Sequence, residues 1–196
     1  MNALKQSIGP MDVLECIATR RSAPILVEPA PDAPALRRLL EAAVAAPDHG
    51  RLRPWRFVIV RGAARERLGS ALAAAQADRD PSATPNALAR TRAKPLRAPL
   101  IIVVICAPKP YAKVPVWEQV ASAACAVQHI QLAAHALGYG SMWRTGWAVH
   151  AEKVRAHLGC AGDERIVALL YLGTVPEGVS MPPRARVCLD GLVIEQ

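Results

Sequence analysis

The chain has 196 residues, 52% hydrophobic and only 4% aromatic, which suits one domain with an aliphatic core and leaves little room for two. Its 24 Lys and Arg against 16 acids give a net charge of +8, yet the basic stretch from Arg90 to Arg97 holds no aromatic on which a base could stack, so nucleic acid is not an expected partner. No apolar run reaches the roughly 18 to 20 residues that cross a bilayer, and the N-terminus has no signal-peptide pattern, so the expectation is a cytoplasmic protein without membrane contact.

In chain order, Asp12 followed by Glu15 reads as a capping pair that opens a first helix, with Val13, Leu14, Ile17 and Ala18 on one face and a stop near Arg21, before Pro24. Asp32 and Pro34 open a second, with Leu36, Leu39, Leu40, Ala43 and Val44 at helical spacing before Pro47. The run Trp55 to Val60 reads as a strand broken by Gly62. A helix from about Ala64 to Ala77 turns Leu68, Ala71, Leu72 and Ala75 inward. Residues of about 78–99, with four prolines, read as a loop with a short helix and a possible lid role.

The continuous apolar run Leu100 to Cys106 predicts a strand covered on both faces and central in its sheet. A long Ala-rich helix from about Val116 to Leu137 ends at Gly138, with Gln128, His129, Gln131 and His135 expected to face solvent or a partner chain. Tyr139 to Thr145 reads as a strand or strand end, His150 to Leu158 as a short helix closed by Gly159, and Arg165 to Leu172 as another strand. The tail from Pro176 is proline-broken and extended. Without repeats or a linker, this is an α+β layered domain.

Several chemistries lack their motifs. The five cysteines form no CxxC pair and suggest neither a disulfide framework nor a catalytic thiol. His129 and His135 are six apart and His150 and His157 seven, so neither pair has zinc-ligand spacing, and no metal is expected. GxGxxG after a strand, GxxxxGK[ST] and GxSxG are all missing, which leaves a Rossmann site, a P-loop and a hydrolase elbow without support.

Four segments could carry chemistry. Arg20, Arg21 and Ser22 at a helix end make a plausible phosphate grip, because guanidinium forks bind phosphate oxygens bidentately; cations complementing the helix C-terminal dipole are the competing reading. Ala46 to Val60 runs from a helix end through the polar loop Pro47, Asp48 and His49 into Pro54, Trp55 and a strand. Leu137 to Gly146 places a glycine turn and Trp143, Arg144 and Thr145 behind the long helix. Tyr171 to Pro176 ends a core strand at Gly173, and Arg184 and Arg186 follow in the tail.

In this order the four segments resemble the nitroreductase family over roughly residues 11 to 190, and within it the short YdjA-type branch, which shares the Arg-Arg-Ser start, the Ala-Pro-Asp-His loop, the Val114 to Gln119 stretch and the Trp-Arg-Thr-Gly element. Arg53 departs from the Gln that many relatives carry before Pro-Trp, and the proline-rich stretch from Pro81 to Pro95 matches no family pattern. The resemblance implies a nitroreductase-like fold with a central mixed, mainly antiparallel sheet flanked by helices, built as a homodimer with FMN at the interface. Residues 1–196 would form one FMN-binding domain, of which about 1–10 is an N-terminal extension.

By the same resemblance Arg20, Arg21 and Ser22 hold the flavin phosphate and ribityl end, joined by Arg184 or Arg186. Trp143, Arg144 and Thr145 line the ring, and His49 reaches the flavin of the neighbouring subunit. Arg144 or Arg20 is the candidate cation for the flavin N1 and C2 carbonyl edge, and no side chain is required as a catalytic acid. The implied function is an NAD(P)H oxidoreductase that passes hydride through FMN, in a ping-pong cycle, to a nitroaromatic, quinone or related small acceptor. A flavin dehydrogenase or oxidase acting on a non-nitro substrate and a flavin-binding protein without turnover are the alternatives.

Overall fold

In the computed structural model, which describes residues 11–179, 181, 185 and 187–196, four strands form one sheet. These are β1 (Trp55–Arg61), β2 (Leu100–Cys106), β3 (Gly140–Arg144) and β4 (Arg165–Gly173), in the spatial order β1-β2-β4-β3. All three pairings are antiparallel. Among the described residues the one parallel contact is an isolated bridge between Ser22 and Ser141, so the described sheet is antiparallel and not the mixed one expected.

Every residue of β2 is buried, as the unbroken apolar run requires, because helices cover both faces of the sheet. Side chains alternate along a strand, so β2 feeds two cores. Ile101, Val103 and Ile105 join Val60, Leu169 and Tyr171 on one face, under α3 (Ala63–Arg79) and α6 (Glu152–His157). Leu100, Ile102 and Val104 join Ala168, Leu170 and Leu172 on the other, under α2 (Ala33–Val44) and α5 (Val116–Ala136).

Helix boundaries follow local chemistry. Asp12 caps α1 (Val13–Thr19), its carboxylate accepting from the backbone N–H groups of Leu14 and Glu15. Asp32 caps α2 by accepting from Ala35, with Pro34 in the first turn. Gly138 ends α5 at a φ of 81°, in the left-handed region where a side chain would be strained.

The apolar stripe of α1 faces outward: Val13 and Leu14 are 62% and 72% exposed, and Cys16 is the helix's buried residue. One expectation for α5 is corrected. Gln131, expected to face solvent or a partner chain, is buried in the core with its amide donating to Ser141 Oγ at 3.2 Å; His129 is half-buried, its Nδ1 3.0 Å from the carbonyl of Ala42. The segment read as a loop with a short helix does contain one, α4 (Pro85–Arg92), followed by a 3-10 turn over Lys94–Arg97. It packs on α3 so closely that a Cβ at Gly69 would lie 2.1 Å from the carbonyl oxygen of Arg92. The tail residues Leu192, Val193 and Ile194 are exposed. Residues 1–10, Arg184 and Arg186 lie outside the described residues.

Candidate functional site

At the end of α1 the chain turns and joins the outer edge of β3. Ser22 bridges Ser141, and Ala23 N–H donates to the Ser141 carbonyl at 3.0 Å, so the Arg20, Arg21 and Ser22 segment is fixed against the sheet edge. Between it and the last turn of α5 opens a cleft of about 410 Å³, lined by Arg20, Arg21, His135, Tyr139, Gly140 and Ser141 among others. No carboxylate lines it among the described residues. Gly140 is required here, since a Cβ would lie 2.6 Å from both Leu26 Cδ2 and Val175 Cγ2.

The helix-end reading of the arginine pair is realised by Arg21. Arg21 Nη1 donates to the carbonyls of Ala18 and Arg20, at 2.7 and 3.0 Å, satisfying the C-terminal carbonyls of α1. Arg20 and Arg21 nevertheless both line the cleft, and together they make its floor strongly positive.

Along β3 the side chains alternate. Trp143 packs into the core under α5, with its indole N–H donating to Val167 O at 3.1 Å. Arg144 lies on the opposite face, its guanidinium 5.5 Å from the centre of the Tyr171 ring, and its Nε is buried without a hydrogen-bond partner among the described residues. Thr145 is exposed just beyond the strand. The Trp143, Arg144 and Thr145 run therefore wraps the outer edge of the sheet instead of lining one surface.

Sequence reasoning missed two cations on the Arg144 side. Lys94 is held below the usual lysine range by burial first and then by Arg97 and Arg144, so the three positive groups share one electrostatic neighbourhood. Burial pushes the Tyr171 phenol up, with Arg144 and Arg97 pulling the other way. No ion pair involves Lys94, Arg97 or Arg144 among the described residues. A cation cluster with no ion-paired acid among the described residues, beside a guanidinium nitrogen without a hydrogen-bond partner there, fits the electron-rich edge of a bound anion or heterocycle.

His49 stands apart from this cleft within one chain. Its loop is held by Asp48, whose carboxylate accepts from Leu52 N and Arg53 N at 3.2 and 2.7 Å, while Arg51 and Arg53 adopt left-handed φ values of 54° and 50°. His49 Nδ1 donates to Glu118 Oε2 at 2.8 Å, which directs Nε2 outward from a side chain that is 62% exposed. Glu118, in the first turn of α5, is a partner that sequence reasoning did not identify.

The family model described as the nitroreductase family matches residues 17–174. The chain belongs to the nitroreductase family. Among its relatives, the protein named "Putative NAD(P)H nitroreductase YdjA" of Escherichia coli K12 is 43% identical over 169 residues, covering 84% of this chain and 88% of that protein. A "Putative NAD(P)H nitroreductase" of Haemophilus influenzae is 39% identical over 84% of this chain and 89% of its own length.

Solved structures agree on the fold. A nitroreductase-like family protein from Bacillus cereus superposes with a TM-score of 0.79 at 24% identity, over 97% of this chain and 99% of that one. A nitroreductase from Bacteroides fragilis, solved with bound FMN, gives 0.74 at 25% identity, over 95% of this chain and 100% of that one. No helix among the described residues is long and apolar enough to cross a membrane.

Proposed function

We propose that this nitroreductase-family chain is an FMN-dependent NAD(P)H oxidoreductase that reduces nitroaromatic, quinone or related small acceptors. The observation that carries the reading is the positive, carboxylate-free cleft between Arg20, Arg21 and Ser141, at the start of a strand whose other end carries Arg144. β3 rises about 3.3 Å per residue, so Ser141 and Arg144 are about 10 Å apart, a span suited to ribityl chain and ring. The FMN bound in the Bacteroides fragilis relative supports the same ligand class here.

In this reading Arg20, Arg21 and Ser22 hold the phosphate, since guanidinium forks and a hydroxyl match its oxygens. Either tail arginine, Arg184 or Arg186, completes that grip. Trp143 and Thr145 border the ring, and Arg144, with Lys94 behind it, supplies positive charge at the N1 and C2 carbonyl edge. Charge placed there in advance, in a partly desolvated setting, costs no reorganisation when electrons arrive. When bound, FMN supplies two-electron transfer between a nicotinamide and a second substrate.

The same reading includes a homodimer. Val13 and Leu14 of α1 are exposed, and so is Trp117 near the start of α5, at 69%; in this reading a second copy covers these apolar side chains. There the outward Nε2 of His49 reaches the neighbouring subunit's flavin, oriented by Glu118. The test is NADPH or NADH oxidation by the purified protein against nitroaromatic, quinone and non-nitro acceptors. Acceptor-dependent turnover supports the proposal, whereas tightly bound flavin that neither nucleotide reduces rejects it.

A further inference from the structure

We propose that His135 is a third, proton-controlled member of the phosphate cleft, taking up a proton at Nδ1 when a phosphate monoester binds beside Arg20 and Arg21 and releasing it when the phosphate leaves. The proposal rests on the FMN reading above and adds to it a pH-dependent hold on the cofactor.

The hydrogen-bond pattern assigns the tautomer. Thr19 Oγ1 sits 2.7 Å from the Glu15 carbonyl, which can only accept, so the single hydroxyl proton of Thr19 is directed there. Toward His135 Nε2, at 2.9 Å, the same oxygen must then accept, and Nε2 carries the ring proton. In the neutral ring the lone pair is left on Nδ1, which has no hydrogen-bond partner among the described residues while the side chain lines the cleft.

The surroundings set the direction of titration. His135 is half-buried in the last turn of α5; burial first, then Arg20 and Arg21, hold it below the usual histidine range, so the ring is neutral at pH 7. From α1 it faces the two arginines and Cys16, whose thiol burial keeps neutral. From β3 and the turn before it come Tyr139 and Ser141, from its own helix Gln131, and from the tail Val175 and Met181. None of these is an acid. The negative charge that favours protonation therefore comes from the α5 C-terminal dipole and from a bound anion.

A phosphate monoester brings about −1.5 to −2 charges at neutral pH, with its second ionisation near pH 6. Binding raises the affinity of His135 for a proton, and linkage requires that a proton on His135 raise the affinity for phosphate. FMN is held most tightly near pH 6, where about half of the phosphate is already dianionic and the histidine still charges readily. Retention weakens as pH rises. One charge-assisted hydrogen bond corresponds to about a tenfold change in dissociation constant.

The experiment titrates the full-length, flavin-freed chain with FMN, following fluorescence quenching at pH 6.0 and 8.5, with riboflavin as the ligand that lacks phosphate. Wild type is expected to bind FMN about tenfold more weakly at the higher pH, with riboflavin unchanged, and His135→Gln is expected to lose that pH dependence. A His135→Gln chain that keeps it overturns the proposal. In wild type, NMR titration of the His135 ring with and without saturating inorganic phosphate gives a second readout that needs neither the variant nor flavin. A phosphate-induced rise in the His135 pKa supports the proposal, and an unmoved pKa overturns it. Failure of wild type to bind FMN at either pH would count against the flavin reading, while the phosphate titration would still decide the role of His135.

Discussion

Ser22 and Ser141 form a parallel bridge that joins the end of α1 to the outer edge of β3. Two segments distant in sequence, an arginine pair and an edge strand, thereby become adjacent walls of one cleft. The bridge works because Gly140, next to it, lets Leu26 and Val175 close over the strand.

Replacing Gly140 tests that closure. Gly140→Ala is expected to lower stability by about 1–2 kcal/mol through overpacking, and to weaken FMN retention because β3 must shift. Urea unfolding and flavin content of the purified variant measure the two effects. Unchanged stability would mean that the wall yields at no cost.

Arg20 and Arg21 differ in their expected contributions. Arg20→Ala removes a cleft cation and is expected to weaken FMN binding about tenfold to a hundredfold, by the usual worth of charge-assisted hydrogen bonds. Arg21→Ala also strips the donors that satisfy Ala18 and Arg20 carbonyls at the end of α1, so it is expected to lower thermal stability as well. Flavin titration and thermal unfolding of the two variants separate the roles.

The Arg56 and Glu164 pair yields a pH prediction. Arg56 Nε and Nη2 lie 3.1 and 2.7 Å from the two carboxylate oxygens, and this hydrogen bonding is the first cause holding the Glu164 carboxyl below the usual range. A depressed carboxyl contributes stability above the ordinary glutamate value of about 4.3, and that contribution is lost as pH falls through the folded-state value. Wild type is expected to exceed Glu164→Gln in urea midpoint near neutrality, and the gap to close on acidification below the ordinary carboxylate range. A gap independent of pH would assign the pair no role in acid sensitivity.

Much of the fold was legible because local patterns and tertiary demands agree. The run from Leu100 to Cys106 announces a doubly covered strand, and Asp12, Asp32 and Gly138 mark helix ends with their own chemistry. The failures share a cause. Gln131 and Gln128 are the same residue type on one helix, and only the position of Ser141 in space decides that Gln131 turns inward. Lys94 and Arg97 sit in a proline-rich stretch whose sequence says nothing about Arg144, and the 3-10 turn that carries them brings them into its electrostatic neighbourhood. Trp143 and Arg144 are adjacent in sequence, and the strand conformation of β3 sends them to opposite faces of the sheet. The Glu118 partner of His49 is 69 residues away and had no local signal.

The most direct measurement is the visible spectrum of the purified full-length chain before and after anaerobic addition of NADPH or NADH, repeated after reconstitution with FMN. The expected result is an oxidised flavin spectrum in wild type that bleaches with a reduced nicotinamide, and little or no retained flavin in Arg20→Ala of normal fold. A wild-type chain that shows no flavin absorbance even after FMN reconstitution would contradict the assignment of the Arg20, Arg21 and Ser141 cleft.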